Sequence, residues 1–366
     1  MELGKQQDAA LKDVERWFKE ESKTKPFYYL AGYAGTGKTT IAKYFRQFIS
    51  GYVAYGAYTG KAALVMQKNG CDDASTIHSM IYIPIVNEKT GEVTFKLNRK
   101  STIADAKLII IDECSMVNNK MGEDLLSFGV PILVLGDPAQ LPPVDGSGFF
   151  TSGEPDSMLT EIHRQASENP IIYMASRIRN QDMLEYGEYG ESSVTNKLRK
   201  ADVFASDQMI SGKNSTRVHM NGVFREHFGY KGNIPLATER VICLKNENDI
   251  GMLNGEMYEV MEVTDKNPAL NYFNMVVSSK DNDEKSNLKI RPLRYLFDGS
   301  KEPEHWKMKL GRQQMTYGYC LTAHKSQGSQ WDSVYIIDES EVFRDMWWRW
   351  LYTAITRASE KVTIYM

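Results

Sequence analysis

Apolar residues recur along this chain at two spacings, and the changes between them mark its elements. Ala10, Val14, Trp17 and Phe18 fall at helical spacing and predict an amphipathic opening helix. Residues 27–30 read as a buried strand, and Thr40, Ile41, Tyr44, Phe45, Phe48 and Ile49 as the apolar face of the helix after it. Residues 52–58, 107–111 and 131–135 are further short strands, so strands and helices alternate as in an α/β fold. Two runs, 81–86 and 92–97, alternate apolar and polar positions around the turn-forming residues 87–91 and predict a β-hairpin. Ile83, Pro84 and Phe95 give that hairpin apolar tip and flank positions.

Downstream the rhythm shifts again. Residues 202–211 are expected to hold two short strands, and 214–228 a helix. Short strands at 240–244, 257–263 and 272–278, separated by Asn, Gly and Asp turns, suit a small β-barrel inserted into an α/β lobe. Residues 281–285 form a charged turn. A strand at 334–337 precedes a helix carrying Val342, Phe343, Met346, Trp347, Trp348 and Trp350, whose spacing favours a core role over base stacking. Residues 361–365 supply a final strand.

The chemistry concentrates between the strands and helices. Gly32-Tyr33-Ala34-Gly35-Thr36-Gly37-Lys38-Thr39 fits the phosphate-binding pattern G-x-x-x-x-G-K-[ST] at every fixed position. A strand leads into it and a helix beginning near Thr40 leaves it, so loop N–H groups and a helix N-terminus can face a phosphate. Lys38 can reach the β- and γ-phosphates of ATP, and the Thr39 hydroxyl can ligate Mg²⁺. Asp112 and Glu113 end the third apolar strand, where ligands bind in open α/β sheets. A carboxylate near Mg²⁺ and a second that orients or deprotonates water are what hydrolysis requires. Gln140 lies in a proline-stiffened loop and could sense the γ-phosphate by hydrogen bonding.

Other candidates are weaker taken singly. Gln7 could pair with an adenine edge or simply be solvated. Thr59, Lys61 and His78 are natural phosphate-backbone ligands, but also ordinary caps and surface groups. Arg164 could cross a cleft to a γ-phosphate or make a surface ion pair.

Composition narrows the field modestly. The 366 residues suit two or three domains. No apolar run is long enough to span a bilayer, and residues 1–20 are too polar for a signal peptide. Four dispersed cysteines (Cys71, Cys114, Cys243, Cys320) argue against a structural zinc site and suit a reducing cytoplasm. A net charge of −3 gives no general attraction to nucleic acid, although a locally basic groove would suffice for a single strand.

Taken in order, these motifs resemble those of superfamily 1 helicases, in the 5′-to-3′ branch of RecD-like and Dda-like enzymes. The resemblance runs from Gln7 to the C-terminus; Thr322-Ala323-His324-Lys325-Ser326-Gln327-Gly328 and Tyr352-Thr353-Ala354-Ile355-Thr356-Arg357 are among its most specific pieces. It implies two RecA-like P-loop NTPase lobes facing each other over ATP and Mg²⁺. The first lobe would span 1–157, with a strand-separating hairpin at about 81–97. The second would span 158–236 and 310–366, with an SH3-like β-barrel inserted at 237–309. By the same resemblance Gln7 reads adenine, while Gly35, Thr36, Gly37, Lys38, Thr39 and Thr40 hold the phosphates. Thr39 and Asp112 serve Mg²⁺, Glu113 activates water and Gln140 senses the γ-phosphate. Arg164 and Arg357 come from the second lobe. Thr59, Lys61, His78, Thr322, His324 and Lys325 line the strand groove, with Pro84 and Phe95 on the pin. Tyr33 and Ala34 replace the more usual small or proline residues of the loop.

The implied activity is ATP-dependent unwinding of DNA by a chain that works as a monomer. Its partners would be single-stranded DNA and duplex junctions, with replication or recombination proteins as further candidates and no membrane. Three alternatives stay open on sequence alone: RNA unwinding, a nucleotide-gated single-strand binding or loading factor, and a P-loop kinase. The kinase reading leaves residues 322–328 unexplained.

Overall fold

The computed structural model describes residues 3–87, 93–143, 148–161, 169–264, 266–282 and 284–366. Two six-stranded sheets and one five-stranded sheet organise them, with a separate two-stranded hairpin. The first sheet runs Ser75–Thr76, Val53–Ala57, Leu108–Asp112, Ile132–Gly136, Phe27–Gly32, Ser157–Leu159, with every neighbouring pair parallel. Its middle strands are buried on both faces, which is why they read as unbroken apolar runs rather than alternating ones. One face packs against Ala10 and Val14 of the opening helix Lys5–Arg16 and Trp17 of the turn that follows it, together with Ile41 and Phe45. The other face holds Ile77, Ile81, Met121, Leu125 and Phe150.

The second sheet runs Cys320–Thr322, Gln208–Ser211, Trp331–Ile337, Ala358–Tyr365, Ser192–Thr195, Gly187–Tyr189, and is parallel except for the last pair. Helix Trp347–Ile355 crosses it with every residue from Trp350 onward buried. Burying a large apolar side chain contributes roughly 1.5–3 kcal/mol. Trp350 is enclosed, while Trp347 and Trp348 lie partly buried against the same core, so all three tryptophans serve packing as expected.

The five-stranded sheet, Leu288–Ile290, Asn274–Ser279, Met257–Thr264, Arg240–Cys243, Met315–Tyr317, is antiparallel throughout. Strands Tyr82–Val86 and Val93–Leu97 form the hairpin, whose turn at 88–92 lies outside the described residues.

Several local expectations need correction. Residues 202–211 hold one strand, not two: Lys200–Ala205 is a short helix that buries Val203, and a short apolar run fits either form. Phe48 is 58% exposed, because its helix stops at Arg46 and the chain turns before Phe48 can rejoin the face of Ile41 and Phe45. Ser157–Leu159 pairs with the strand ahead of the phosphate loop, and Met315–Tyr317 pairs with Arg240–Cys243. The first straddles the expected border at 157/158, and the second, expected in the second lobe, belongs instead to the five-stranded sheet.

Candidate nucleotide and nucleic-acid site

The phosphate loop joins strand Phe27–Gly32 to helix Lys38–Arg46. Gly35 and Gly37 take positive φ angles of 79° and 83°, a region that costs most other residues energy. Gly32 has no room for a side chain: an added Cβ would lie 2.6 Å from Thr36 Oγ1 and 2.9 Å from Leu159 Cβ. Lys38 Nζ arches back over the loop and donates to the carbonyls of Gly32 (2.7 Å) and Tyr33 (3.2 Å). Thr36 Oγ1 donates to Tyr33 O at 2.8 Å. Gln7 is buried against this loop, donating from Nε2 to Thr36 O at 3.0 Å and accepting from Gly4 N at 3.0 Å.

At the neighbouring strand end, Thr39 Oγ1 lies 3.5 Å from Asp112 Oδ2. Burial, and then the negative charge of Glu113, push the Asp112 carboxyl up to about 6. A carboxylate so disfavoured by its surroundings is stabilised by a cation. Among the described residues no cluster of three or more His, Cys, Asp or Glu side chains could hold a metal. The Thr39 hydroxyl and Asp112 carboxylate suit a hard ion held by few protein oxygens and completed by phosphate and water, the usual pattern for Mg²⁺. Thr40 and Lys43 line the same small cleft as Thr39 and Asp112.

Glu113 adopts φ 53°, ψ 45°, a conformation uncommon for a side-chain-bearing residue, and its N–H donates to Asp112 Oδ1 at 2.8 Å. With the Gln140 amide oriented to suit its neighbours, its nitrogen donates to Glu113 Oε2 at 3.2 Å and its oxygen accepts from Arg357 Nη2 at 3.3 Å. Arg357 is 5% exposed, and also donates to Thr353 O, Ser329 O and Thr356 Oγ1. One hydrogen-bonded line thus runs from the first lobe's acid, through Gln140, to an arginine near the far end of the polypeptide. Arg164 lies outside the described residues.

Further bonds close the same seam. Tyr352 OH donates to buried Asp137 Oδ2 at 2.6 Å and accepts from Ala34 N of the phosphate loop at 3.1 Å. Burial holds the Tyr352 phenol well above its ordinary range, so it stays a donor, and burial likewise raises the Asp137 carboxyl. Thr353 Oγ1 accepts from Leu141 N at 2.9 Å, and Gln327 Nε2 donates to Leu141 O at 3.0 Å. Arg349 donates to the carbonyls of Pro138 and Gln140.

The expected strand-groove residues come together less simply. Thr59, His324 and Lys325 line one cavity of about 240 Å³ with Leu244 and Asn254 of the inserted segment. Thr59 also caps helix Gly60–Lys68, its hydroxyl accepting from Ala62 N at 3.2 Å. Thr322 is buried at the start of the short helix Ala323–Ser326. His78, Pro84 and Phe95 line a neighbouring cavity of about 500 Å³ with Tyr58, Tyr82 and Lys245. The His78 ring sits about 6 Å from three aromatic rings, those of Tyr58, Tyr82 and Phe95, and its burial there lowers its pKa. Lys61 departs most from expectation, because it is paired with Asp281 of the inserted segment with both side chains largely buried. Its charge is met from within the chain.

Residues 3–195, more than half the chain, match the AAA domain family, and residues 317–365 match the UvrD-like helicase C-terminal domain. The chain belongs to the AAA domain family.

Among similar proteins, the ATP-dependent RecD2 DNA helicase of Deinococcus radiodurans is 25% identical over 91% of this chain. The chain spans 46% of that protein, about half its length. Protein R530 of Acanthamoeba polyphaga mimivirus is 24% identical, with 93% of this chain and 95% of the viral protein covered. In fold, the chain resembles Bacteroides Pif1 bound to single-stranded DNA, with a TM-score of 0.61 and 21% identity over 99% of this chain and 92% of that one. Pif1 helicase from Candida albicans gives 0.58 and 18%, covering 100% and 94%.

Sequence reasoning missed part of this seam. Tyr352 and Thr353 stood inside a recognised motif without a role, and Asp137 beside Gln140 was passed over. A signal existed: Tyr352, Thr353, Thr356 and Arg357 fall at the helical spacings i, i+1, i+4 and i+5 at the end of a largely apolar run. Arg349 and Arg179 carried no local signal, since their partners lie far away in sequence.

Proposed function

We propose that this chain is an ATP-dependent DNA helicase that moves 5′ to 3′ along a single strand and separates the duplex it meets. The observation that carries the reading is the Glu113–Gln140–Arg357 line, which joins a hydrolytic acid to a cation on the facing lobe. ATP with Mg²⁺ supplies the phosphoanhydride whose hydrolysis drives the cycle. Lys38 and the loop N–H groups hold its phosphates, Thr39 and Asp112 hold the metal, Gln7 takes the adenine, and Glu113 accepts a proton from the attacking water. Gln140 couples that acid to Arg357, and Arg164 completes the cationic wall. A ligand contacted by both lobes binds best when the seam is closed, so turnover alternates closure and release.

Thr59, His78, Thr322, His324 and Lys325 form the track for the strand, with Lys61 held back from it by Asp281. The Tyr82–Val86 and Val93–Leu97 hairpin is the separating pin, with Pro84 and Phe95 toward the junction. The five-stranded sheet is the SH3-like module beside it. Residues 1–157 and 158–236 with 310–366 act as the two RecA-like motors, and a single chain suffices. The relatives named as DNA helicases favour DNA over RNA, and replication or recombination is the setting such an activity would serve.

The test is ATP hydrolysis with and without oligo(dT), followed by unwinding of duplexes bearing either a 5′ or a 3′ tail. Strong stimulation and unwinding of the 5′-tailed substrate alone are expected. Glu113→Gln should bind ATP and lose turnover. Stimulation without unwinding of either substrate would favour a nucleotide-gated binding factor, and equal hydrolysis with and without DNA would refute both readings.

A further inference from the structure

Tyr33 occupies a loop position whose side chain the phosphate cradle does not use, and the structure gives it another task. Its ring leaves the first lobe and packs against the core of the second. There the Arg179 guanidinium carbon lies 3.6 Å from the ring centroid, at cation–π distance. Arg179 is the last residue of helix Pro170–Arg179, an end where the helix dipole favours positive charge. The backbone of Tyr33 faces the opposite way: its carbonyl accepts from Lys38 Nζ at 3.2 Å and from Thr36 Oγ1 at 2.8 Å. The next residue, Ala34, donates its N–H to Tyr352 of the same second lobe. Two successive loop residues are therefore held from across the seam, and the first of them also holds the phosphate-binding lysine.

We infer that Tyr33 and Arg179 form a positioning pair that makes the set of the phosphate loop, and with it the placement of Lys38, depend on closure of the seam. Neither side chain takes part in the chemistry. With the stack made, the loop is locked in its nucleotide-accepting shape while the lobes are together. With the stack broken, the second lobe holds the loop only through Ala34, and ATP must itself order Tyr33 on binding. That ordering weakens ATP binding and leaves the hydrolytic step, set by Glu113, Gln140 and Arg357, largely unchanged.

The inference rests on ATP being the ligand of this loop, and the test separates the two claims. Binding of a fluorescent ATP analogue and steady-state hydrolysis are measured for Lys38→Ala, Tyr33→Phe, Tyr33→Ala, Arg179→Ala, Arg179→Lys and the double Tyr33→Ala/Arg179→Ala. Tyr33→Phe keeps the ring and should match the wild type. Tyr33→Ala and Arg179→Ala should each raise KM for ATP about 3- to 10-fold with kcat within about twofold, the size expected for one cation–π contact. Arg179→Lys should recover part of the loss, and the double variant should be no worse than either single one. Unchanged KM in the alanine variants, effects that multiply in the double variant, or a loss confined to kcat would each overturn the inference. If Lys38→Ala binds the analogue normally, it is the nucleotide reading of the loop that has failed.

Discussion

Replacing Tyr352 with Phe removes one oxygen atom from the seam and leaves the aromatic packing in place. That oxygen donates to the Asp137 carboxylate at 2.6 Å and accepts from Ala34 N at 3.1 Å. Without it Asp137, 1% exposed, keeps only the bond from Ala139 N at 2.9 Å. A hydrogen bond to a charged group is worth about 1.5–3 kcal/mol, and a buried acceptor left short of donors bears that loss in full. Ala34 is only half-buried, so water can satisfy its N–H and it adds little. A penalty of about 2–3 kcal/mol against the closed seam is therefore expected, or roughly 30- to 140-fold at about 1.4 kcal/mol per decade.

The assay is kcat/KM for ATP hydrolysis at saturating oligo(dT). The deficit should shrink as pH falls, because the carboxyl of Asp137 is already raised by burial and loses its need for a donor once it is protonated. A variant within threefold of wild type at neutral pH would refute the view that this hydroxyl latches the lobes.

Three further outcomes are expected. Replacing residues 83–96 by a short Gly-Ser turn should leave DNA-stimulated hydrolysis within about twofold and abolish unwinding; surviving unwinding would remove the hairpin from strand separation. Asp281→Asn should free Lys61, tightening oligo(dT) binding and steepening the dependence of log Kd on log salt by about 0.7, one more phosphate contact on a single strand; an unchanged slope would mean that Lys61 does not reach the strand. Burial lowers the His78 pKa below its usual 6.5, so its contribution to stability is complete above that value and is lost as pH falls through it toward the folded-state pKa. The fall in Tm between pH 7.5 and 5.5 should accordingly be smaller in His78→Gln, and an equal fall in both proteins would refute that assignment.

What could be read from the sequence was whatever is local. The phosphate loop, the Asp112-Glu113 pair and the buried strands announce themselves because spacing over a few residues dictates their geometry. The hairpin was legible for the same reason, since its two strands pair across a short turn. What stayed hidden depends on contacts between distant segments. Nothing near Lys61 tells that Asp281, 220 residues later, meets its charge. Nothing near Tyr33 points to Arg179. The short helix Lys200–Ala205 was misread because one turn of helix and a short strand leave the same apolar trace. Arg357 was found through its resemblance to a motif, and its bond to Gln140 only through the fold.

The inserted sheet is attached at two places. Its strands Arg240–Cys243 and Met315–Tyr317 are neighbours, so the chain leaves the second lobe and returns to it along one double stalk. Its other margin hooks onto the first lobe, where Leu253 crowds Gly60 and Asp281 clasps Lys61. A sheet rooted beside one six-stranded sheet and hooked to the other acts as a tether: drawing the two apart would have to flex the stalk or break the Lys61–Asp281 pair.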